Sequence, residues 1–255
     1  MKVSIVTVCY NSSSTIKDTI ESVLSQDYVD VEYIVVDGGS NDGTIDIVKS
    51  YGNKISTFVT EKDNGIYDAM NKGVALATGD IVGILNSDDF YESESILSYV
   101  VGAFDKKPEV DIVFGDVVFV EPSDLKKVTR FYRANRFSVW RLRFGWMPPH
   151  PATFIRKSAY EKVGAYSLKY KIAADYEMFV RQLYVHGLKY LYINKVLVRM
   201  RSGGVSTSGF KSSLRLNLEI VTACRNNGLY TNIFMVLLKL PFKLYELFRK
   251  PRSMR

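Results

Sequence analysis

Short apolar strands and helix-periodic segments alternate through the first 90 residues, and this alternation constrains the possible fold more than any other feature. Between the strands, apolar residues recur at the three- and four-residue spacing of a buried helix face. Strands that alternate with helices in this way pair side by side in a parallel sheet, with helices on both faces. We therefore predict a mostly parallel, doubly wound α/β fold. Its first strands are predicted at Lys2–Cys9, Val31–Val36, Ser56–Thr60 and Ile81–Leu85.

The second half of the chain continues this pattern less regularly and ends in two helical stretches. Further strands are predicted within Asp111–Val120 and Tyr190–Met200, and the helical stretches at Ser212–Asn226 and Tyr230–Phe248. A loop rich in glycine and serine separates the last strand from the first of these helices. We therefore expect a main domain of residues 1–210, made of the halves 1–120 and 121–210, and a helical appendage of residues 211–255.

The net charge of +7 hides two halves of opposite sign. Residues 1–120 carry 8 lysines, no arginine and 20 acidic residues, whereas residues 121–255 carry 26 basic and 7 acidic residues. An acidic half suits a metal ion and sugar hydroxyls, and a basic half suits phosphates or an anionic surface. Aromatic side chains are interleaved with the basic residues of 125–160, a pattern that single-stranded nucleic-acid binders also show. We expect no nucleic-acid partner, because the acidic half would repel phosphates except at a metal site.

The two cysteines, Cys9 and Cys224, lie far apart in the sequence and do not form a metal-binding spacing. Cys9 falls inside the first predicted strand, where a buried free thiol is expected rather than a disulfide. That strand begins directly after the first residues, which leaves no room for a secretory signal. These features predict a cytoplasmic protein in a reducing compartment.

Residues Ile81–Phe90 read I-V-G-I-L-N-S-D-D-F, an apolar run that ends on two adjacent carboxylates. Ligands of open α/β sheets collect at the carboxyl ends of such strands. Asp88 and Asp89 would repel each other there and stay partly protonated unless a cation joins them. We therefore expect a divalent metal ion, Mn²⁺ or Mg²⁺, that also holds phosphate oxygens. An acidic turn or a helix cap is the structural alternative.

The first two strands end in T-V-C-Y-N (residues 7–11) and D-G-G-S (residues 37–40), which would lie side by side in a parallel sheet. Asp37 can accept a hydrogen bond from a ring N–H of a nucleobase, and the following glycines permit close approach of a ligand. A plain turn explains the same residues. Neither G-x-G-x-x-G nor G-x-x-x-x-G-K-[ST] occurs, so the sequence does not support a dinucleotide oxidoreductase or a P-loop ATPase.

A helix predicted over Tyr67–Leu76 would carry Asp68, Asn71 and Lys72 on one face. That face can present hydrogen-bonding groups to a nucleotide and its phosphates. A solvated amphipathic face is the alternative interpretation.

Four motifs in this order together resemble the family 2 glycosyltransferases. They read S-I-V-T-V-C-Y-N, E-Y-I-V-V-D-G-G-S-N-D-G-T, D-N-G-I-Y-D-A-M-N-K-G and G-I-L-N-S-D-D, and the resemblance spans about residues 1–205. The sequence looks most like bacterial members that build exopolysaccharide, capsule or O-antigen units. The resemblance implies a glycosyltransferase A fold and a nucleotide-sugar donor. It also implies that a hexosyl or N-acetylhexosaminyl group is transferred with inversion at the anomeric carbon.

Matching positions in these motifs imply roles for the strand-end residues. Thr7 and Tyr10 would flank the nucleobase with Asn11 beside them, and Asp37 would bind it. The resemblance thus places the nucleotide-sugar in residues 1–120 and the acceptor in residues 121–210.

The metal-binding D-x-D of the family reads Asn86-Ser87-Asp88 in this chain. Asp88 would therefore be the metal ligand, and Asn86 would lie on the ribose side of the nucleotide. The usual first carboxylate is missing at Asn86, and Asp89 would support Asp88 from behind.

The segment K-I-A-A-D-Y-E-M-F-V-R, residues 171–181, resembles the acceptor segment of the family. Inverting displacement needs a carboxylate that takes the proton of the acceptor hydroxyl, and Asp175 occupies that position. Apolar neighbours on its helix would raise its pKa. A helix N-terminal acid stabilised by the helix dipole is the alternative, and Glu177 is the second candidate base.

Two further groups are predicted to contact the diphosphate or the acceptor. His150, in M-P-P-H-P, resembles a histidine near the acceptor side in this subgroup, although a lone histidine is more often structural. A Gly/Ser loop with two nearby arginines can close over the leaving diphosphate, and a surface connection is its alternative. The candidate residues of this loop are Arg199, Arg201, Gly203, Gly204 and Ser206.

The stretch Tyr230–Phe248 is aromatic-rich and is followed by basic residues. Its apolar run is shorter than the about 20 residues that cross a bilayer. A helix of this kind lies in the membrane interface, whereas packing on the protein's own core is the alternative. We therefore expect peripheral attachment to the inner face of the cell membrane, with a polyprenyl-diphosphate-linked saccharide as the acceptor.

Together these features predict a metal-dependent, inverting glycosyltransferase of cell-surface polysaccharide biosynthesis that uses a nucleotide-sugar, most simply a UDP-sugar. Two other classes stay open. A nucleotidyltransferase on a related sheet would begin with a Gly-rich, Arg-containing loop after the first strand, and C-Y-N-S is not such a loop. A non-catalytic nucleotide-sugar-binding or membrane scaffold protein would release no UDP when donor and acceptor are mixed.

Overall fold

A computed structural model describes residues 1–203 and 210–239, and a single sheet forms its centre. Within these residues the strands are β1 (Val3–Cys9), β2 (Val31–Asp37), β3 (Thr57–Thr60), β4 (Ile81–Asn86), β5 (Asp89–Tyr91), β6 (Ile112–Glu121), β7 (Asp124–Tyr132), β8 (Thr153–Arg156) and β9 (Tyr190–Arg201). They are joined in the order β3-β2-β1-β4-β8-β6-β9-β5, and β7 pairs with β6 outside this path.

The helices alternate with the strands as far as β4, as the sequence predicts. They are α1 (Ile16–Leu24), α2 (Thr44–Ser50), α3 (Ile66–Leu76), α4 (Ile96–Lys106), α5 (Lys157–Val163), α6 (Ala174–Phe179), α7 (Phe210–Asn226) and α8 (Ile233–Leu237). A π-helical turn, Val180–Val185, continues α6, and short 3₁₀ turns lie at Gly52–Lys54, Val139–Phe144 and His150–Ala152.

The first half of the sheet is parallel, with β2 and β4 on either side of β1 and β3 beside β2. Cys9 at the end of β1 lies opposite Asp37 at the end of β2, and Val8 lies opposite Asn86 at the end of β4. All of β1 is buried, which explains why its sequence is nearly continuously apolar rather than alternating. The predicted α/β class is thus confirmed, and three strand ends meet at one edge of the sheet.

The second half of the sheet is mixed, a feature that the regular alternation of the first half does not predict. β8 pairs antiparallel with both β4 and β6 and so joins the two halves. β6 and β9 are parallel, and the short β5 pairs antiparallel with β9. β7 forms an antiparallel arm on β6 inside the basic region, and none of its residues is fully buried. Its sequence therefore lacks the apolar pattern of a core strand.

Two apolar cores lie on opposite faces of the sheet. One contains Ile20 of α1, Val48 of α2 and Val100 of α4. The other contains Val74 of α3 and Tyr160 of α5, together with side chains of α6 and α7. This two-sided cover is the doubly wound arrangement that the sequence predicts.

The C-terminal helices begin on the second of these cores. Ile220 and Cys224 of α7 and Val236 of α8 are buried there with side chains of α6. Core packing, the alternative considered for this region, therefore holds for part of 211–239, and residues 240–255 of the predicted appendage lie outside the described residues. Among the described residues, no helix has the length and apolar character needed to span a membrane.

The contact between α3 and β1 at Gly73 gives a test of the helix–sheet packing. A Cβ on Gly73 would overlap the Cγ1 atom of Val6, which is fully buried. We expect Gly73→Ala to lower the free energy of unfolding by about 1–3 kcal/mol, as overpacking of a core does. Chemical denaturation of the purified protein measures this loss.

Gly102→Ala in α4 is the matched control, because no atom lies within 4 Å of its added Cβ. Alanine is the better helix former, so this variant should keep its stability or gain up to about 1 kcal/mol. Equal effects of the two substitutions would contradict the close packing of α3 on β1.

Candidate active site

Hydrogen bonds tie the loops after β1, β2 and β4 into one surface. Asn11 adopts a left-handed backbone conformation with φ 49°, and its N–H donates to the Ser40 hydroxyl at 2.8 Å. The hydroxyls of Ser12 and Ser87 lie 2.8 Å apart and join the β1 loop to the β4 loop. This turn leaves the ring of Tyr10 62% exposed at the strand ends. Flat ligands can therefore reach an aromatic face at this edge of the sheet.

Asp37 is fully buried, and protein donors enclose its carboxylate. Its Oδ2 accepts the N–H groups of Gly39 and Ser40 at 3.0 Å each and the Thr60 hydroxyl at 2.7 Å, and its Oδ1 accepts the Ser40 hydroxyl. Burial raises the pKa of Asp37, but the hydrogen bonds from Ser40 and Thr60 outweigh burial and lower the pKa below its ordinary value. Asp37 therefore holds the turn that borders the site, and its direct contact with a base stays a prediction.

Thr7 is also enclosed in the core. Its side chain is fully buried, and its hydroxyl accepts a hydrogen bond from the Tyr33 hydroxyl at 3.1 Å. Because β1 is buried along its whole length, only residues beyond its end reach the surface. Of the residues predicted to flank a base, Tyr10 and Asn11 are exposed and Thr7 is not.

The end of β4 presents oxygen atoms of different accessibility. Asp89 is only 1% exposed and accepts a hydrogen bond from the side-chain N–H of Asn86 at 3.2 Å, whereas Asp88 is partly exposed. Burial raises the pKa of both carboxyls, and the charge of Asp88 raises the pKa of Asp89 further. The buried Oδ1 of Asn86 has no hydrogen-bond partner within the described part of the chain. Ionisation of this pair is therefore unfavourable without a positive charge nearby.

These residues fit a hard divalent cation with oxygen ligands. The Asp88 carboxylate and the unpartnered Asn86 Oδ1 are donors of the right kind, and Asp89 lies behind them. No group of three His, Cys, Asp or Glu residues that could hold a metal is found in residues 1–203 and 210–239. A cation here would have few protein ligands, which leaves coordination positions for water and for the oxygens of a bound diphosphate.

The two arginines predicted to contact a diphosphate are held by protein groups instead. Arg199 binds Glu92 through Nε at 2.6 Å and Nη2 at 2.9 Å, and its Nη1 donates to a backbone carbonyl. Arg201 donates to the carbonyl of Asp88 at 2.6 Å and pairs with Asp18. All three side-chain nitrogens of Arg199 are therefore engaged within the protein, and its phosphate contact stays a prediction. Arg201 braces the loop that carries Asp88.

Gly203 is exposed and has φ 114°, a backbone conformation that favours glycine. Gly204 and Ser206, the other predicted residues of this loop, lie outside the described residues.

Asp175 lies in the first turn of α6 and is held from two sides. Its Oδ1 accepts the N–H of Tyr176 at 2.8 Å and lies 3.2 Å from the hydroxyl of Tyr67, which also donates to the Ile172 carbonyl at 2.6 Å. Burial raises the pKa of Asp175, and the nearby His150 partly opposes that rise. A carboxylate with a raised pKa in a partly exposed position can accept a proton from a bound hydroxyl.

His150 is buried, and it is close enough to Asp175 for the two side chains to interact through their charges. Its Nε2 lies 2.9 Å from the Tyr166 hydroxyl, which is 3.1 Å from that of Tyr160. Burial lowers the pKa of His150, so the imidazole is neutral near pH 7. The contact that the structure shows for His150 is thus with Tyr166 in the core, and its contact with diphosphate or acceptor stays a prediction.

Glu177, the second candidate base, is 5% exposed and pairs with Arg181 at 2.8 Å. This ion pair lies on the helix face that packs on the core, as expected for a residue two positions after Asp175. Glu177 is therefore a structural acid of α6.

The predicted ligand face of α3 makes contacts within the protein. The side-chain amide of Asn71 donates to the Tyr166 carbonyl at 2.9 Å and accepts the Tyr166 N–H at 2.7 Å. Asp68 accepts the N–H of Asn64 at 3.0 Å, and Lys72 pairs with Glu61 at 2.7 Å. Asn71 therefore joins α3 to the segment that contains Tyr166, and Asp68 and Lys72 hold the loop before α3. The role of these three residues in nucleotide binding stays a prediction.

Tyr67 is the site residue that sequence reasoning did not identify. It lies one turn before Asn71 on α3, so the i, i+4 spacing within D-N-G-I-Y-D-A-M-N places both on the face toward the acceptor half. A cleft of about 280 Å³ lies against Tyr67, between residues 64–67 and the segment with Leu168, Tyr170 and Lys171. Because α3 follows β3, whose end lies beside Asp37, this cleft and Asp175 share the edge of the sheet where β1, β2 and β4 end.

Comparison with known proteins agrees with this architecture. Residues 4–164 match the family model described as glycosyl transferase family 2. A PGL/p-HBAD biosynthesis glycosyltransferase of Mycobacterium bovis (strain BCG / Pasteur 1173P2) is 30% identical over 210 residues, which are 80% of this chain and 79% of that protein.

Two solved structures show the same fold at low sequence identity. Residues 1–349 of S. aureus TarS in complex with UDP-GlcNAc align with a TM-score of 0.67 and 18% identity, covering 94% of this chain and 72% of that one. The chain spans 44% of a longer TarS structure. The mannosyltransferase PcManGT of Pyrobaculum calidifontis in complex with GDP-Man and Mn²⁺ aligns with a TM-score of 0.66 and 19% identity, covering 96% and 72%.

The hydrogen bond between Tyr67 and Asp175 predicts a measurable shift in acidity. A donor to the charged carboxylate lowers its pKa, so Tyr67→Phe should raise the pKa of Asp175. Carboxyl ¹³C NMR of protein with labelled aspartate measures this pKa, with Asp175→Asn used to assign the signal.

Tyr170→Phe is the control, because the Tyr170 hydroxyl accepts a hydrogen bond from Asn226 and makes none with Asp175. Its Asp175 signal should titrate as in the wild type. A Tyr67→Phe titration that coincides with the wild type would contradict the hydrogen bond.

Proposed function

Because this chain belongs to glycosyl transferase family 2, we propose that it is an inverting, metal-dependent enzyme that transfers a sugar from a UDP-sugar to a lipid-linked saccharide. It is a glycosyltransferase with a glycosyltransferase A fold. The proposal for its chemistry is supported above all by the position of Asp175. This carboxyl is hydrogen-bonded to Tyr67 in the first turn of α3, which follows β3 at the sheet edge where β1, β2 and β4 end, and burial raises its pKa.

The donor nucleotide-sugar is proposed to bind at the ends of β1 and β4. Tyr10 and Asn11 are exposed there and would border the nucleobase, while Asp88 and Asn86 would hold a divalent cation. When bound, Mn²⁺ or Mg²⁺ would neutralise charge on the diphosphate. Solved structures of the same fold contain UDP-GlcNAc in TarS and GDP-Man with Mn²⁺ in PcManGT, which supports a donor of this class.

Asp175 is proposed to act as the general base. The acceptor hydroxyl oxygen forms a bond to the anomeric carbon while the bond from that carbon to the diphosphate oxygen breaks, and the hydroxyl proton passes to Asp175. Attack on the side opposite the leaving diphosphate inverts the anomeric configuration. Tyr67 and the N–H of Tyr176 hold the carboxylate in one orientation, which keeps the base aligned as the proton moves.

The acceptor is proposed to enter through the cleft between residues 64–67 and Leu168–Lys171. Ile66 and Leu168 are 46% and 53% exposed there, and Tyr67 leads from the cleft to Asp175. Apolar and aromatic surface of this kind packs against the faces of sugar rings. We propose that the acceptor saccharide is carried on a polyprenyl diphosphate. The enzyme would then act in the biosynthesis of a cell-surface polysaccharide.

The roles of Asp175 and Asp88 are separated by one pair of variants. Asp175→Asn should keep metal-dependent UDP binding and lower sugar transfer by about 100-fold or more, since general base catalysis contributes about that much. Asp88→Ala should lose both metal-dependent UDP binding and transfer. Calorimetric titration of UDP with Mn²⁺ measures binding, and UDP release from UDP-sugars with membrane-extracted acceptor measures transfer.

Asp105→Asn is the control for both variants, because Asp105 is an exposed residue of α4 near Tyr28, which is hydrogen-bonded to Met1 before the start of β1. It should bind UDP and transfer sugar as the wild type does. Full transfer by Asp175→Asn would remove the base assignment, and an unchanged UDP titration for Asp88→Ala would remove the metal assignment.

Attachment to the inner face of the cell membrane is proposed for the C-terminal end. Tyr230, Phe234 and Leu238 are 71%, 79% and 56% exposed, and basic residues follow in the sequence. Aromatic and apolar side chains beside basic residues insert at the surface of anionic bilayers.

Phe234→Ser should therefore weaken binding to vesicles that contain anionic phospholipid by about tenfold, because the variant lacks the aromatic side chain that would be buried in the bilayer. Vesicle co-sedimentation measures this binding. Val29→Ser, at a residue 94% exposed in the loop before β2, is the control and should bind as the wild type does. Binding that is the same for all three proteins would contradict this membrane contact.

A further inference from the structure

The carboxylate of Asp37 is enclosed, but the loop between β3 and α3 offers another acid at the same edge of the sheet. Asp63 in this loop is partly exposed. Its Oδ1 accepts the N–H of Gly65 at 2.8 Å, which fixes the orientation of the carboxylate. Its Oδ2 has no hydrogen-bond partner in the part of the chain that the structure describes. One charged oxygen therefore remains to accept a hydrogen bond from a ligand.

The absence of a side chain at Gly38 explains how Asp63 reaches this place. A Cβ on Gly38 would overlap Oδ2 of Asp63 and would lie 3.4 Å from Cδ2 of Tyr10. Gly38 does not have a positive φ, so its backbone conformation does not require glycine. The space that glycine leaves open is the space that the Asp63 carboxylate occupies.

Tyr10 gives this carboxylate an aromatic neighbour. The ring is 62% exposed, and both the ring and Asp63 Oδ2 border the same Gly38 position. Bases stack on exposed aromatic side chains with little preference among base types. Discrimination between bases then depends on the hydrogen-bonding group at the ring edge that meets Asp63.

A carboxylate accepts hydrogen bonds and does not donate them when ionised. It therefore suits uracil, which has an N–H at N3, and disfavours cytosine, which has an unprotonated acceptor nitrogen there. Guanine presents two adjacent donors that suit both oxygens of a carboxylate, but Oδ1 of Asp63 is already engaged by Gly65. A single free oxygen matches the single ring N–H of uracil.

We propose that Asp63, whose carboxylate fills the space that Gly38 leaves open, selects the donor nucleobase by accepting the N3–H of a uracil ring that stacks on Tyr10. This inference rests on the proposed function, because it requires a nucleoside diphosphate at the ends of the strands. It moves base selection from Asp37, which holds the turn, to a residue of the neighbouring loop.

The test is a thermodynamic cycle that combines the substitution of Asp63 with the methylation of uracil N3. Calorimetry with Mn²⁺ present gives the dissociation constants of UDP, N3-methyl-UDP and CDP for the wild type and for Asp63→Asn. Loss of a hydrogen bond to a charged group should weaken UDP binding by about 10- to 100-fold in Asp63→Asn. N3-methyl-UDP lacks the N–H, so it should bind the two proteins equally, and the preference for UDP over CDP should narrow in the variant.

Asp46→Asn is the matched control, because it removes the same charge from an exposed residue that lies in the first turn of α2 and makes no hydrogen bond or ion pair within the described residues. It should keep UDP affinity within about twofold of the wild type, since a rim charge contributes little to affinity. Gly38→Ala is a second variant that displaces Asp63 without altering its charge, and it should weaken UDP binding but not N3-methyl-UDP binding. Melting temperatures of all variants verify that they are folded.

Coupling of at least tenfold between the Asp63 substitution and the N3-methyl group would support the inference. Independent, additive losses would overturn it, and so would an equal loss of UDP binding in Asp46→Asn. If the wild type binds UDP but the losses in the cycle are additive, this inference alone is overturned. A wild type that binds no nucleoside diphosphate would overturn the proposed function together with it.

Discussion

The parallel register of β1, β2 and β4 is the constraint on which the site depends. It sets Cys9 opposite Asp37 and Val8 opposite Asn86, so the loops that follow must meet at one edge. A slip of one residue would turn the side chains of a strand to the other face and break this alignment. β3 extends the same edge, and the loop after it leads into the first turn of α3, where Tyr67 contacts Asp175. The contact between Tyr67 and Asp175 thus positions part of the second half of the chain next to the strand ends of the first half.

The carboxyl groups at this edge differ in how many hydrogen bonds compensate their negative charge. Asp37 is buried but receives five hydrogen bonds, and its pKa is lowered because its charge is already compensated. Burial raises the pKa of Asp88, Asp89 and Asp175, because fewer donors compensate them. Carboxyls of the first kind stabilise a turn. Those of the second kind are stabilised by a cation or by a proton, and such groups concentrate at functional sites.

The sequence predicts the parallel half of the sheet well because its strands are buried on both faces and are read directly from apolar runs. It does not predict β7, whose residues are only partly buried on an outer arm. It identifies the loops of the site, but not which polar atoms stay free in them. Arg199 is engaged by Glu92, and His150 by Tyr166, through contacts between segments distant in the chain. Periodicity and motif spacing carry no information about such pairs.

α3 and the loop before it connect the two sides of the proposed reaction. Asp63 borders the exposed ring of Tyr10, whereas Tyr67 and Asn71 bind the acceptor half through Asp175 and Tyr166. Asp63 thus lies only four positions before Tyr67 and eight positions before Asn71. Because a helix packed on β1 is stiff, these contacts keep a fixed separation, as transfer between two bound molecules requires. The packing of this helix therefore serves alignment as well as stability.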